Sequence, residues 1–192
     1  MCGICGTIYH DRERNVTPDE LEAMSSLLRH RGPDDAGSYC AGNVGLGHRR
    51  LSIIDLSPAG HQPMSNEDES IWIVFNGEIY NYPDIRTELL GQGHRFRSHS
   101  DTETIIHLYE EKGEECVRAL RGMFAFALWD GRKSRLLCAR DRVGKKPFVY
   151  AHTDEGFHFA SEIKSLLTCP DIDKTIDYKA LHHYLKIGRA HV

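Results

Sequence analysis

An α+β protein is the expectation from sequence, on three observations. Short β-branched and aromatic runs are punctuated by Gly, Pro, Asn and Asp, and Ser/Thr-led capping boxes open two helical patterns. The strands also fall in blocks joined as hairpins, whereas a βαβ parallel sheet needs strands and helices in strict alternation. At 192 residues the chain can bury one sizeable core.

Taken in order, Gly3 to Tyr9 reads as a buried strand followed by a polar loop. Thr17-Pro18-Asp19-Glu20 is a helix start, with Thr17 as N-cap, Pro18 in the first turn and Glu20 closing the box. Leu21, Met24 and Leu28 then share one helical face and read as core. Arg29-His30-Arg31-Gly32-Pro33-Asp34 ends that helix, because Gly-Pro cannot continue it. Val44 to Ile54 is strand-like, interrupted by Gly47-His48-Arg49-Arg50. Ile71 to Phe75 is an apolar strand running into Asn76-Gly77-Glu78.

Pro83 to Leu90 predicts a short helix stopped at Gly91. Ser100-Asp101-Thr102-Glu103 again fits a capping box, leading a helix to Gly113, and a shorter helix spans Glu115 to Leu120. Met123 to Trp129 and Arg135 to Ala139 form a hairpin around Asp130-Gly131. A charged loop follows, Arg140-Asp141-Arg142, for which internal ion pairs are expected. Phe148 to Tyr150 pairs with Phe157 to Ala160, and Glu162 to Leu167 is a short helix.

The chemistry centres on Met1-Cys2-Gly3-Ile4-Cys5-Gly6. With the initiator Met removed, Cys2 carries a thiol and a free α-amine, whose reference pKa of about 7.7–8.0 lets it act as a base. That is a nucleophile with its own base. The competing reading is a packing cysteine. A redox pair or half a zinc site from Cys2 and Cys5 is weaker, because the other four cysteines stand singly and strand positions three apart face opposite sides.

Arginines in a strand-like run need a partner, since an unpaired charge is costly to bury. Arg50 is the candidate carboxylate clamp, Arg49 points outward, and His48 is a packed or solvated histidine. Asn76-Gly77 is either a turn or an oxyanion site made of a side-chain amide and a backbone N–H. Asp101 either complements the helix dipole or binds an ammonium group.

Composition narrows the rest. The 24 basic and 28 acidic residues give a net charge of −4, which argues against a nucleic-acid or membrane surface. No apolar run matches a bilayer span, and no basic-hydrophobic leader opens the chain. Six scattered cysteines read as reduced thiols of a cytoplasmic protein.

The ordered segments M-C-G-I-C-G, R-H-R-G-P-D, L-G-H-R-R-L-S-I-I-D-L-S, F-N-G-E-I-Y-N, S-D-T-E-T, R-G-M-F-A-F-A-L-W-D, A-R-D-R-V-G and F-A-S-E-I-K-S-L-L closely resemble the glutamine-hydrolysing domain of glutamine-dependent asparagine synthetases. That domain is a class II amidotransferase, and the likeness runs over residues 2–185. Cys5 stands where other small or apolar residues are usual in that family.

The resemblance implies an N-terminal-nucleophile hydrolase fold, a four-layer αββα sandwich of two antiparallel sheets. It also implies that Cys2 attacks the glutamine side-chain amide, giving a glutamyl thioester and ammonia, with Asn76 and Gly77 as oxyanion hole. Arg50 is then assigned to the α-carboxylate, Glu78 and Asp101 to the α-ammonium, and Leu51, Ile53 and Ile54 to the pocket wall.

The same resemblance implies L-glutamine as partner and an ATP-dependent synthetase domain, turning aspartate into asparagine, that is absent from this sequence. No metal or cofactor is expected in residues 2–185; ATP and Mg²⁺ belong to the synthetase domain. No glycine-rich nucleotide loop occurs here. Residues 186–192 are expected to be a truncated or artefactual tail, and a homodimer of the full-length enzyme stays open. Two alternatives also stay open: another carboxylate acceptor, and a non-catalytic structural relative.

Overall fold

The computed structural model describes residues 1–52 and 57–186. In chain order the elements are β1 (Gly3–Tyr9), α1 (Pro18–Ser26), β2 (Asp35–Ala41), β3 (Val44–Arg50), β4 (Met64–Ser65), β5 (Ile71–Ile79), α2 (Tyr82–Gly91) and α3 (Asp101–Lys112). They continue with α4 (Cys116–Ala119), β6 (Gly122–Asp130), β7 (Arg135–Arg140), β8 (Val149–His152), β9 (Gly156–Ala160), α5 (Ile163–Leu166) and α6 (Tyr178–Leu185). Two antiparallel sheets result, ordered β2-β3-β1-β9-β8 and β4-β5-β6-β7. Among the described residues no helix is long and apolar enough to cross a membrane.

The layers follow from side-chain alternation along the strands. Ile4, Val44, Leu46 and Phe159 of the first sheet meet Val74, Ala125, Ala127 and Trp129 of the second, forming the core between them. On the outer face of the first sheet Cys5 and Ala160 pack with Met24, Leu28 and Leu166, the last from α5. On the outer face of the second, Ile71, Ile73, Phe75, Phe124 and Phe126 pack under Ile85 and Leu89 of α2 and Ile105 and Leu108 of α3. The order is helices, sheet, sheet, helices, as the four-layer expectation has it.

The α1 capping box forms as the sequence predicts, with Thr17 Oγ1 accepting from Glu20 N at 3.3 Å and Glu20 Oε2 from Thr17 N at 2.7 Å. The helix stops at Ser26, before the Gly-Pro pair, because Leu28 N and Arg29 N donate three residues back, to Ser25 and Ser26. At α3 only half of the expected box is present. Ser100 Oγ accepts from Thr102 N at 3.1 Å, but the Glu103 carboxylate reaches past it to the N–H groups of Arg97 at 2.7 Å and Ser98 at 2.8 Å. Glu103 therefore clasps the preceding loop.

Two sequence expectations change more. Asn76-Gly77 lies inside β5, where Asn76 faces Ala125 and Gly77 faces Phe124 in a nine-residue ladder with β6 that overrides the local turn preference. The loop after β7 is held by backbone atoms and not by internal ion pairs. Asp141 accepts from the N–H groups of Phe124 (3.2 Å), Val143 (3.3 Å), Lys145 (2.9 Å) and Lys146 (3.0 Å), and Arg140 donates to the carbonyls of Lys146 and Gly144.

Removing that carboxylate orphans four donors, one of them in the ladder. Asp141→Ala should lower stability by about 2–4 kcal/mol in urea titrations, and Asp141→Asn, which keeps an acceptor oxygen, by less. Equal midpoints for wild type and Asp141→Ala would refute this account of the loop.

Candidate active site

The same alternation sets the contents of one end of the inter-sheet space. Gly3 pairs with Arg49, so continuing the register brings Cys2 beside Arg50. Positions 4, 44, 46 and 74 face the core between the sheets. By parity, Cys2, Arg50, Asn76 and Glu78 project into the same space, whereas Cys5 faces α1. The two thiols of the C-x-x-C therefore point to opposite sides.

One pocket of about 80 Å³ is lined by Cys2, Arg50, Leu51, Asn76, Gly77, Glu78 and Asp101, with Met1, Gln62, Ser100, Thr102 and Lys146 among the other contributors. All the site residues expected from sequence thus meet in it, except Ile53 and Ile54, which lie outside the described residues.

Cys2 is fixed by its backbone and its sulfur. Arg31 Nε donates to the Cys2 carbonyl at 3.0 Å while Arg31 Nη1 is tied to Glu162 Oε1 at 2.9 Å. Leu51 N lies 3.4 Å from Sγ as a donor. Burial pushes the thiol pKa up; the Leu51 N–H and the positive charges of the N-terminus, Arg50 and Lys146 oppose this without cancelling it. Arg50 is itself buried, and its Nη1 donates to the Ser57 carbonyl at 3.2 Å. Arg49 turns outward to Glu22 at 2.9 Å.

His48 is a packed histidine. Its Nε2 donates to the Phe75 carbonyl at 3.1 Å, and burial lowers its pKa to about 4, so it is neutral near pH 7.

Two donors on β5 lack partners. Asn76 is 1% exposed, and its Nδ2 has no hydrogen-bond partner. The second donor follows from the ladder. Phe124 directs its N–H and its carbonyl to Asp141, so Phe124 and Gly77 form a non-hydrogen-bonded pair and the Gly77 N–H points away from β6. On that edge the neighbouring N–H groups are taken: Phe75 N donates to Gln62 Oε1 at 2.7 Å and Ile79 N to Asp101 Oδ2 at 2.9 Å. The Gly77 N–H stands between them, in the pocket wall. Glycine is required there because a Cβ would sit 2.4 Å from the Met123 carbonyl oxygen and 2.7 Å from Phe124 Cα.

Asp101 opens α3 and is 3% exposed. Burial raises its pKa to about 6, the neighbouring Glu78 charge adds to this, and the Ile79 N–H works against it. The pocket thus has two cations, Arg50 and Lys146, and two carboxyl groups, Glu78 and Asp101.

Gln62 and Lys146 were not anticipated. Gln62 braces β5 against α3, with Nε2 donating to Thr102 Oγ1 at 3.2 Å, and no residue pattern in the sequence signals that. Lys146 is buried and Lys145 exposed; the double lysine is visible in the sequence, but which one turns inward is set by the bonds to Asp141.

Comparison with known proteins agrees with this geometry. A family model described as a glutamine amidotransferase domain matches residues 1–191. The asparagine synthetases [glutamine-hydrolyzing] 3 and 1 of Bacillus subtilis are 40% and 44% identical over 190 and 187 residues, covering 98% and 96% of this chain. The chain spans only 31% and 29% of their lengths. A glutamine phosphoribosylpyrophosphate amidotransferase from B. subtilis superposes with a TM-score of 0.73 at 20% identity, over 87% of this chain and 43% of that one. That likeness shows the same fold, that of an N-terminal-nucleophile hydrolase. From residues 1–191 the conclusion is direct: this chain belongs to the glutamine amidotransferase domain family.

Proposed function

We propose that this domain hydrolyses L-glutamine to glutamate and ammonia, with Cys2 as an N-terminal nucleophile. The observation that carries the proposal is the pair of open donors, the buried Asn76 amide and the Gly77 N–H, in the wall of the pocket that holds the Cys2 thiol. Unmatched buried donors facing a nucleophile are what a developing oxyanion requires.

Removal of Met1, which also lines the pocket, frees the α-amine of Cys2. A thiol whose pKa burial has raised holds little thiolate near pH 7, so the neutral amine takes its proton as sulfur attacks the side-chain amide carbon. The tetrahedral oxygen sits between Asn76 Nδ2 and Gly77 N–H. Its collapse passes the proton to the leaving nitrogen, releasing ammonia and leaving a glutamyl thioester, which water cleaves. Arg50 holds the α-carboxylate, Glu78 and Asp101 the α-ammonium, and Leu51, with Ile53 and Ile54, the chain of the substrate. No cofactor or metal takes part in this step.

Its ammonia is proposed to serve an ATP- and Mg²⁺-dependent synthetase unit of a longer protein, converting aspartate to asparagine. The named relatives, of which this chain spans under one third, support that. Six free thiols support a reducing, cytoplasmic setting.

Intact mass before and after a glutamine-mimicking diazo-ketone tests the nucleophile. The unlabelled chain should lack Met1, and the label should map to Cys2. Cys2→Ala should lower ammonia release by at least about 10⁴-fold, whereas Cys5→Ala, altering a residue on the far face of β1, should stay active. Equal loss in both variants would overturn the assignment. Arg50→Lys should raise KM for glutamine about 10–100-fold, because a point charge cannot reproduce the fork; an unchanged KM would remove the clamp.

Asp101 gives a pH-dependent test. Below about pH 6 it becomes neutral and cannot pair with an ammonium, so KM for glutamine should rise as pH falls through that value. Its folded pKa lies above the ordinary 3.8, so the native state holds the proton more tightly and stability falls as pH rises from about 4 to 6. Asp101→Asn keeps an acceptor for Ile79 N and loses the charge. At pH 7 it should therefore raise stability by on the order of 1–2 kcal/mol while raising KM. A variant that is less stable at pH 7 would contradict the buried-charge argument.

A further inference from the structure

Two histidines and a glutamate outside the glutamine pocket converge on one point. His94 follows α2, and His107 and Glu110 lie three residues apart on one face of α3. Nδ1 of His94 stands 3.2 Å from Nδ1 of His107, which stands 2.9 Å from Glu110 Oε2; that oxygen is 3.6 Å from His94 Nδ1. A tetrahedral ion with bonds of about 2.0–2.2 Å spaces its ligands at about 3.3–3.6 Å, close to the separations present.

The opposite side of each group is also engaged. Nε2 of His94 faces Glu111 Oε1 at 2.9 Å, and Nε2 of His107 faces Glu103 Oε1 at 3.8 Å. Glu110 Oε1 accepts from Asn66 Nδ2 at 2.8 Å. Carboxylates on the distal imidazole nitrogens and a donor behind the ligating carboxylate are the usual supports of metal ligands. His107 is 1% exposed and lies edge-on to Phe96 at 4.6 Å, which fixes its ring.

A proton is the competing occupant. Burial disfavours charge on His107, but Glu103 and Glu110 together raise its pKa to about 9. One ring N–H makes one well-directed bond, so a proton leaves the meeting of three acceptor atoms only partly explained.

We propose that His94, His107 and Glu110 form a site for a divalent transition-metal ion of the zinc class, with a further coordination position for water. A recess of about 350 Å³ lined in part by His94, Glu67 and Glu111 gives the ion its entry. Two imidazoles and one carboxylate suit zinc or cobalt, whereas magnesium and calcium seek oxygen ligands throughout. His107 lies six residues, about 9 Å of helix rise, beyond Asp101. The ion therefore clamps the segment after α2 to α3, the helix whose first residue faces the glutamine pocket, and takes no part in the amide chemistry.

Titrating the metal-free chain with Co²⁺ should show one bound equivalent with the visible d–d bands of a nitrogen and oxygen site and no thiolate-to-cobalt charge-transfer band. Added Zn²⁺ should displace it and raise the melting temperature. His94→Ala, checked for fold by circular dichroism, should lose that equivalent. Glu111→Gln, at a side chain 44% exposed, should weaken it about 10–100-fold and decides the matter should His94→Ala not fold. Absence of binding, a thiolate band, or an equivalent unaffected by these substitutions would overturn the site in favour of a proton-bridged cluster.

Discussion

Alternation of side chains along β1, β3 and β5, which line the space between the two sheets, governs where the chemistry of this domain sits. In the middle of that space the even-numbered positions are Ile4, Val44, Leu46 and Val74, and they make the core. At one end they are Cys2, Arg50, Asn76 and Glu78. The apolar positions thus set the register that the polar ones need. A one-residue slip of β3 against β1 would turn Arg50 toward α1 and bring Arg49 in. It would also expose Leu46 and Val44 to the wrong face. The register is further pinned at Gly6, where a Cβ would meet the Phe159 ring at 2.5 Å, so the two central strands fit only one way.

In-plane directions obey the same ladder. The odd-numbered N–H groups of β5 point away from β6, and Gln62 and Asp101 occupy those of Phe75 and Ile79. That leaves the Gly77 N–H and, from the adjacent residue, the Asn76 amide. An unpaired buried donor costs about 1–3 kcal/mol, and a fold that satisfies both neighbours of one such group while leaving it open has kept that cost at the pocket wall. Asp101 repeats the pattern, its carboxyl group buried against its own preference for water. Strain of this kind is relieved by a ligand with an anionic atom in one place and a cationic atom in another.

Much of this was legible in the sequence, because strong local signals agreed with the tertiary structure. The runs of β1, β5 and β6 are apolar at consecutive positions, α1 has its full capping box, and Cys2, Arg50 and Asp101 stand out as polar residues in apolar or capping contexts. β2 was missed because an edge strand with one solvated face, Asp35–Ala41, has no apolar run to betray it. α6 was missed too: all its residues are exposed or half-buried, so no packing pattern marks it. Asn76-Gly77 has the residues of a turn and the neighbours of a strand, and pairing with β6 decides between them. Lys146 and Gln62 enter the pocket through hydrogen bonds between distant segments, which spacing does not encode. His94 and His107, thirteen residues apart on separate elements, meet only once α2 packs on α3.

The division of charge between the sheets makes the last link. Arg50 ends β3 of one sheet, while Glu78 and Asp101 belong to β5 and to α3 beneath the other. On the proposed reading the α-carboxylate and α-ammonium of glutamine are gripped from opposite sheets, with the amide left to lie between Cys2 and the β5 donors. The zwitterion is chemically inert in the reaction, so its binding energy is available to hold the amide carbon in line with sulfur. Neither sheet alone carries both the nucleophile and its oxyanion donors, or both halves of the zwitterion site. Competence for hydrolysis is therefore a property of the inter-sheet core: loosening Ile4, Leu46 or Val74 shifts Cys2 relative to Asn76, and catalysis should be lost before the fold is.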